Sequence, residues 1–194
     1  MNMRNGLILV VSIFIILILT YRTINSDFEF GKYENMQEAI QKEISSPIIE
    51  ILYSKKYHGV TVVIYTTEPN KDELPDSNFD AIAVAFLQGS DQNGWKNIGP
   101  NGWTHYENNN MTFYTEGLHD YDEKGNVMHE FYLTFGEIKN SMIEKVQTCS
   151  TDSKTFEDAT IFTHSGMRYY IYIGEASIVQ GLSKDGKVID RQGG

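Results

Sequence analysis

Residues 60–67 read VTVVIYTT and residues 79–88 read FDAIAVAFLQ. The first run is rich in β-branched side chains, which fit the pleated surface of a strand. The second is apolar at both alternating sets of positions, the pattern of a strand covered on its two faces and central in its sheet. Between them, EPNKDELPDSN at 68–78 is a polar loop that holds two of the four prolines.

Upstream of this pair, Ile49, Ile51 and Tyr53 alternate with Glu50, Leu52 and Ser54, and Tyr57-His58-Gly59 breaks the chain before residue 60. Earlier still, YENMQEAIQKEI at 33–44 places Tyr33, Met36, Ile40 and Ile44 on one helical face, with Glu38 and Lys42 paired on another. Pro47 stops that helix. Downstream, 89–110 is rich in loops and carries Gly94-Trp95 and Gly102-Trp103. MTFYTEG, a turn around DEKGN, and VMHEFYLTF at 127–135 read as a hairpin, with Val127, His129, Phe131, Leu133 and Phe135 on one face. IEKVQTC, DATIFTH, MRYYIYI and GKVIDRQ supply four more strands, the last entered by Lys184-Asp185-Gly186. The expected architecture is α+β: an N-terminal membrane helix, then one amphipathic helix and a mostly antiparallel sheet of about eight strands.

The membrane helix is read from Leu7–Thr20, LILVVSIFIILILT, in which only Ser12 and Thr20 are not apolar. Its twelve apolar side chains favour a bilayer by about 4–7 kcal/mol on an insertion scale. The run covers roughly 21 Å, and extension from Asn5 to Ile24 brings it to about 30 Å, the thickness of a hydrocarbon core. Arg4 and the amine lie on one flank and Arg22 on the other, so the positive-inside rule discriminates poorly; the signal-like layout favours export. An uncleaved signal anchor over 1–26, followed by an extracytoplasmic domain over 27–194, is the preferred reading. Cleavage after Ser26 would release a secreted form.

Of 26 acidic residues none precedes Asp27, whereas Arg4 and Arg22 do, so residues 27–194 carry 14 basic against 26 acidic side chains, a net charge of −12. Such a surface repels phosphate backbones, and nucleic acid is not expected as a partner. The 41% of apolar residues, with 12 Tyr and 10 Phe, are enough for a sizeable core. The one cysteine, Cys149, reads as a small buried hydrophobe on a strand, with a nucleophile or an intermolecular bridge as the alternative.

Sites of known chemistry do not stand out. Asp120, Asp122 and Gly125 resemble the start of a calcium loop, but Lys124 and Phe131 occupy positions where that loop needs oxygen ligands, so DYDEKGN reads as a solvated turn. His58, His105, His119, His129 and His164 share no ligand spacing. His119 next to Asp120 reads as a surface pair and His129 as a hydrogen-bonded core residue. His164 and Ser165 flank a turn and are expected to point apart. Asn110-Met111-Thr112 is a glycosylation sequon. No catalytic, metal-binding or cofactor-binding residue is assigned, and no cofactor is expected. Trp95, Trp103 and Tyr106 form the candidate ligand platform, since aromatic rings in a Gly- and Asn-rich segment stack on sugars or peptides; the alternative is that both tryptophans anchor long loops onto the sheet.

The stretches FGEIKNSMIEKVQTCS, EDATIFTHSGMRYYIYIG and VQGLSKDGKVID, with Gly94-Trp95-Lys96 upstream, resemble small exported, lipid- or membrane-anchored proteins of spore-forming Gram-positive bacteria. The resemblance covers about 130 residues, mainly turns and core positions. It implies location and fold and carries over no catalytic residue; the lipid-modified cysteine of such proteins is absent here. The functional expectation is a single-pass, extracytoplasmic domain that binds an envelope protein, peptide or glycan without catalysis. Two other classes stand beside it: an envelope hydrolase built from dispersed residues such as His129, Glu130 and Asp190, and a protein that docks a membrane partner through its anchor.

Overall fold

The computed structural model describes residues 11–18, 32–44, 47–72, 74–100, 102–150, 153 and 155–194. Among them are thirteen strands: β1 (Ile48–Tyr57), β2 (Val60–Thr67), β3 (Ala81–Ser90), β4 (Gly94–Asn97), β5 (Trp103–Thr104), β6 (Tyr114–Tyr121), β7 (Val127–Ile138), β8 (Lys145–Cys149), β9 (Glu157–Asp158), β10 (Thr160–His164), β11 (Met167–Ile173), β12 (Ile178–Leu182) and β13 (Val188–Gly193). They form three antiparallel sheets. Sheet A runs β1-β2-β3-β4, with β5 also on β3; sheet B runs β10-β11-β7-β6; sheet C runs β13-β12-β8-β9. The mostly antiparallel α+β expectation holds. The single sheet of about eight strands is corrected to three sheets.

The VTVVIYTT and FDAIAVAFLQ runs fall on β2 and β3, paired in register from Thr61–Leu87 to Thr67–Ala81. They are apolar throughout because sheet A is an inner layer. Val60, Val62, Ile64, Ile82, Val84 and Phe86 face sheet B, where Tyr114, Leu118, Leu133, Phe135, Tyr169 and Ile171 meet them. Val63, Tyr65, Ala83, Ala85 and Leu87 face the other way, toward Ala39 and Ile40 of the helix. Alanine at 83 and 85 leaves room for the helix backbone, while the bulky set fills the space between the sheets. Behind sheet B a third core joins Ile138 and Tyr170 to Ile143, Val146, Val179 and Met111, so the layers stack as helix, A, B, C. Each fully buried aliphatic side chain in these layers stabilises by about 1.5–3 kcal/mol.

Tight turns set the registers. His58 and Gly59 both have positive φ, 47° and 90°, as do Ser165 and Gly166, 47° and 80°. Two successive left-handed residues make the turn whose twist matches paired strands, so β1–β2 and β10–β11 are hairpins with two-residue loops.

The helix is shorter than its periodicity predicts: Met36–Gln41, capped by Asn35, whose side chain accepts from the Glu38 amide at 2.8 Å. Six residues cannot sustain a helix alone in water, and packing of Ala39 and Ile40 on sheet A holds it. Tyr33 lies outside it and bridges to Trp95 instead. Four strands escape the pattern. β4, β5 and β9 have four, two and two residues, too few for alternation to register. β12 contains Gln180-Gly181, which reads as a turn, yet it is a central strand of sheet C; a Cβ at Gly181 would meet Ile143 Cδ1 at 2.7 Å, so the glycine is a packing requirement.

Residues 11–18 are helical. The rest of the 1–26 anchor expectation lies outside the described residues, among which no helix is long and apolar enough to cross a membrane.

Candidate functional site

Sheets A and B end side by side at two open edges, β5 and β6. Between these edges lies a cavity of about 320 Å³, at the lower end of the range for small-ligand sites. Ile82 and Val84 form one wall, and Trp103 and Thr104 its rim. The opposite wall is Tyr114, Phe135 and Glu116, closed at one end by Tyr106 and Phe113. Alternation on β6 puts Tyr114, Glu116 and Leu118 on the side facing sheet A, which brings the Glu116 carboxylate into a cleft whose other side chains are aromatic, aliphatic or threonine.

The aromatic wall is fixed by edge-on contacts, with Tyr106 to Tyr114 at 5.1 Å and Tyr114 to Phe135 at 5.6 Å between ring centroids. The Tyr106 hydroxyl donates to Gln192 Oε1 and accepts from the Phe113 amide; Tyr114 Oη accepts from the Tyr106 amide at 3.2 Å. Tyr106 thereby ties the segment before β6 to β13 of sheet C. Burial raises the phenol pKa of both tyrosines above the ordinary value, so both are neutral hydrogen-bonding groups at physiological pH.

One end of the A/B interface is rich in titratable groups. Glu137 on β7 is half-buried, and burial raises its carboxyl pKa, opposed by Lys139 and His105 and reinforced by Glu107 and Asp80. His105 stacks on Phe79 at 3.8 Å between ring centroids and lies 3.3 Å from Glu107 Oε1. Across the same end, Glu50 Oε1 lies 2.6 Å from His164 Nε2 and accepts from Ser165 Oγ at 2.9 Å. These hydrogen bonds, His164 first, hold the Glu50 carboxyl below its usual range. The side chains of His164 and Ser165 therefore converge, contrary to expectation, because the left-handed turn swings Ser165 toward Glu50. Both hydrogen-bond to the carboxylate, and no hydrogen bond joins the serine to the imidazole, so the hydroxyl lacks the base an activated nucleophile needs. The cluster clamps β1 to the β10–β11 turn.

The candidate platform residues are not gathered on one surface. Trp95 is buried on the helix side of sheet A, where Nε1 donates to Asp91 Oδ1 at 2.7 Å. Trp103 packs against the same helix-side cluster. Their partners on β3, Gly89 and Ala83, are six residues apart, which separates the rings by about 20 Å along the strand. Tyr106 packs on the other side, against the A/B core. Trp103 and Tyr106 both border the cleft and Trp95 does not.

The hydrolase candidates are also separate. His129 Nδ1 is 3.0 Å from Asp120, whereas Glu130, its neighbour on the opposite face of β7, is 3.2 Å from His119. His119 thus pairs across the hairpin rather than with adjacent Asp120. Asp190, on β13, accepts from Gln192 Nε2 at 2.9 Å. The Asp122 carboxylate is engaged by the amides of Lys124 and Asn126 within its own turn, and no group of three or more metal-ligating side chains occurs among the described residues. Cys149 is buried, with its thiol donating to the Ser153 carbonyl at 2.9 Å. In the sequon, Met111 and Thr112 are fully buried and Asn110 accepts from Asn140 Nδ2 at 2.8 Å.

Sequence reasoning did not single out Thr104, Tyr114 or Glu116. Their one sequence signal is Glu116 between Thr115 and Gly117 on a strand otherwise apolar toward the core. Its place at an open edge depends on sheet order, which no local pattern encodes. No protein-family model, curated protein or solved structure matches this chain.

Proposed function

We propose that this chain is a membrane-tethered extracytoplasmic domain with an accessory role at the cell envelope, binding its ligand non-covalently in the cleft between β5 and β6. The observation that carries the binding part is the composition of that cleft. Five aromatic side chains and one carboxylate surround it, and its threonine hydroxyls, Thr104 and Thr115, have no histidine beside them among the cleft residues. Such a wall favours a ligand with an apolar body and a cationic or hydrogen-bond-donating group.

The tether is supported by residues 11–18, where Val11, Ile13, Phe14, Ile15, Ile16, Leu17 and Ile18 all stand exposed around the helix. A helix apolar on every side favours an apolar surrounding. The apolar run Leu7–Leu19, interrupted only by Ser12, and the net charge of −12 that follows it agree with an anchor and a solvated domain. The resemblance to anchored, exported proteins of spore-forming Gram-positive bacteria points the same way.

Fractionation tests the reading. The full-length chain is expected in the membrane pellet, retained after alkaline extraction, with residues 27–194 removed by protease added to intact cells. Full-length protein free in the cytoplasm would refute it.

A further inference from the structure

The backbone beside the cleft narrows the class of ligand. Tyr132 O accepts from the Gly174 amide at 2.8 Å, so the backbone groups of even-numbered β7 residues turn toward β11. Those of the odd-numbered residues turn toward β6, as Glu137 O shows by accepting from the Thr112 amide at 3.0 Å. Their register partners on β6 are Tyr114, Glu116 and Leu118. The amides and carbonyls of Thr115, Gly117 and His119 therefore point away from the sheet, along an edge that no strand covers among the described residues.

Exposed edges are usually blunted by lysine, proline or a bulge. The far edge of sheet A follows this rule, since β1 has two register shifts and carries Lys55 and Lys56. β6 does not: from Thr115 to His119 it has no lysine, proline or register shift, the first shift coming between Asp120 and Tyr121. Instead, Glu116 Oε1 folds back to accept from the Gly117 amide at 3.1 Å. This carboxylate is half-buried in the cleft and has no ion-pair partner among the described residues.

We propose that the ligand is an extended cationic peptide segment that adds to sheet B beside β6, with one large side chain in the cleft and a basic side chain on Glu116. An incoming strand supplies a carbonyl to the Gly117 amide, which releases the Glu116 carboxylate to take the cation. The charge of −12 on residues 27–194 favours approach of a basic segment over an acidic one. Strand addition draws its affinity from main-chain hydrogen bonds and its selectivity from alternate side-chain pockets. This inference rests on the reading of the cleft as a binding site.

The test uses the full chain in detergent micelles against two probes: a displayed library of random dodecapeptides and a series of N-acetylglucosamine oligomers. Enriched peptides are expected to alternate Lys or Arg with aromatic residues. Thr115→Pro removes one outward amide without touching the ladder to β7 and is expected to weaken them about tenfold or more, from the lost hydrogen bond and the ring's bulk. Glu116→Lys is expected to weaken them similarly, and Thr104→Trp to plug the cleft. N-methylation of the peptide backbone at alternate positions abolishes binding if a strand is added, and at the intervening positions leaves it intact. If Thr115→Pro unfolds, His119→Pro removes the next outward amide but one and reads the same property, and Glu116→Lys reads the charge without a backbone change. Peptides that bind Thr115→Pro and His119→Pro as well as the parent, or that are enriched in acidic residues, overturn the proposal. A glycan that is lost in Thr104→Trp but kept in Thr115→Pro overturns the peptide class and leaves the binding reading standing. Absence from both libraries of any binder sensitive to Thr104→Trp overturns both.

Discussion

Tyr170→Phe removes one oxygen atom from a phenol that sheets B and C enclose completely. That hydroxyl donates to the Thr112 carbonyl at 2.8 Å, and Thr112 is itself fully buried just before β6. Burial raises the Tyr170 pKa well above the ordinary value, so the group is a neutral donor at any pH of interest. After the substitution the carbonyl is left in an apolar layer without its partner, which costs about 1–3 kcal/mol. For a protein of this size, each kcal/mol lowers Tm by roughly 2–4 °C. Tyr169→Phe is the internal control. Tyr169 is on the opposite face of the same strand, and its hydroxyl has no hydrogen-bond partner among the described residues; that change is expected to stay within about 0.5 kcal/mol. Urea unfolding of the detergent-solubilised chain, followed by far-UV circular dichroism, gives both values from the midpoint at unchanged slope. A Tyr170→Phe midpoint as close to the parent as that of Tyr169→Phe would refute the assignment of this hydrogen bond as a stabilising pin.

Gly136→Ala places a Cβ 2.1 Å from the Thr112 carbonyl oxygen, a backbone atom with little room to move. Destabilisation of about 3 kcal/mol or more is expected, read as a fall in urea midpoint or in folded yield; a parent-like midpoint would contradict the packing of Thr112 on β7. Glu50→Gln removes the acceptor shared by His164 and Ser165. Because the carboxyl pKa is depressed in the folded chain, its contribution is present above the unfolded value near 4.5 and is lost as pH falls through the lower folded value. Tm of the parent should drop more steeply than that of Glu50→Gln between about pH 5 and pH 3, and parallel curves would dissociate Glu50 from the clamp. Thr148→Val replaces the one buried side-chain oxygen without a hydrogen-bond partner among the described residues. It is expected to be neutral or to stabilise by up to about 1 kcal/mol, and a loss larger than that in thermal unfolding would show that Thr148 Oγ1 is satisfied.

Patterns that repeat over five or more residues were legible in the sequence. Residues 60–67 are β2 as read, and the double-faced apolar pattern at 79–88 correctly marks a strand covered on both sides. The turns at His58-Gly59, Asp122–Asn126 and Ser165-Gly166 were legible because each needs residues that tolerate left-handed backbone or hydrogen-bond to themselves. Division into three sheets was not legible, since pairing partners such as Gln147 and Gln180 are far apart in the chain and carry no complementary local signal. The cleft was legible only in part. An aromatic-rich loop marks Trp103 and Tyr106, whereas Glu116 becomes distinctive only once β6 is known to be an edge. Convergence of His164 and Ser165 on Glu50 was missed because it arises from contact between two sheets, 114 and 115 residues apart in the chain.

Sheet A is drawn from one contiguous stretch, 48–104, but sheets B and C are interleaved: β6 and β7, then β8 and β9, then β10 and β11, then β12 and β13. A chain that folds as it is delivered, N-terminus first, can therefore complete sheets A and B by residue 173, while sheet C still waits for the pair that supplies two of its four strands. During that interval the far side of sheet B, with Ile138 and Tyr170, stands open to water, and the half-made protein is at its most adhesive. Interleaving also means that no single cut separates sheet B from sheet C. Circular permutation or insertion has its natural place in the polar 68–78 loop, and a severed C-terminal hairpin would leave the remainder without a lid.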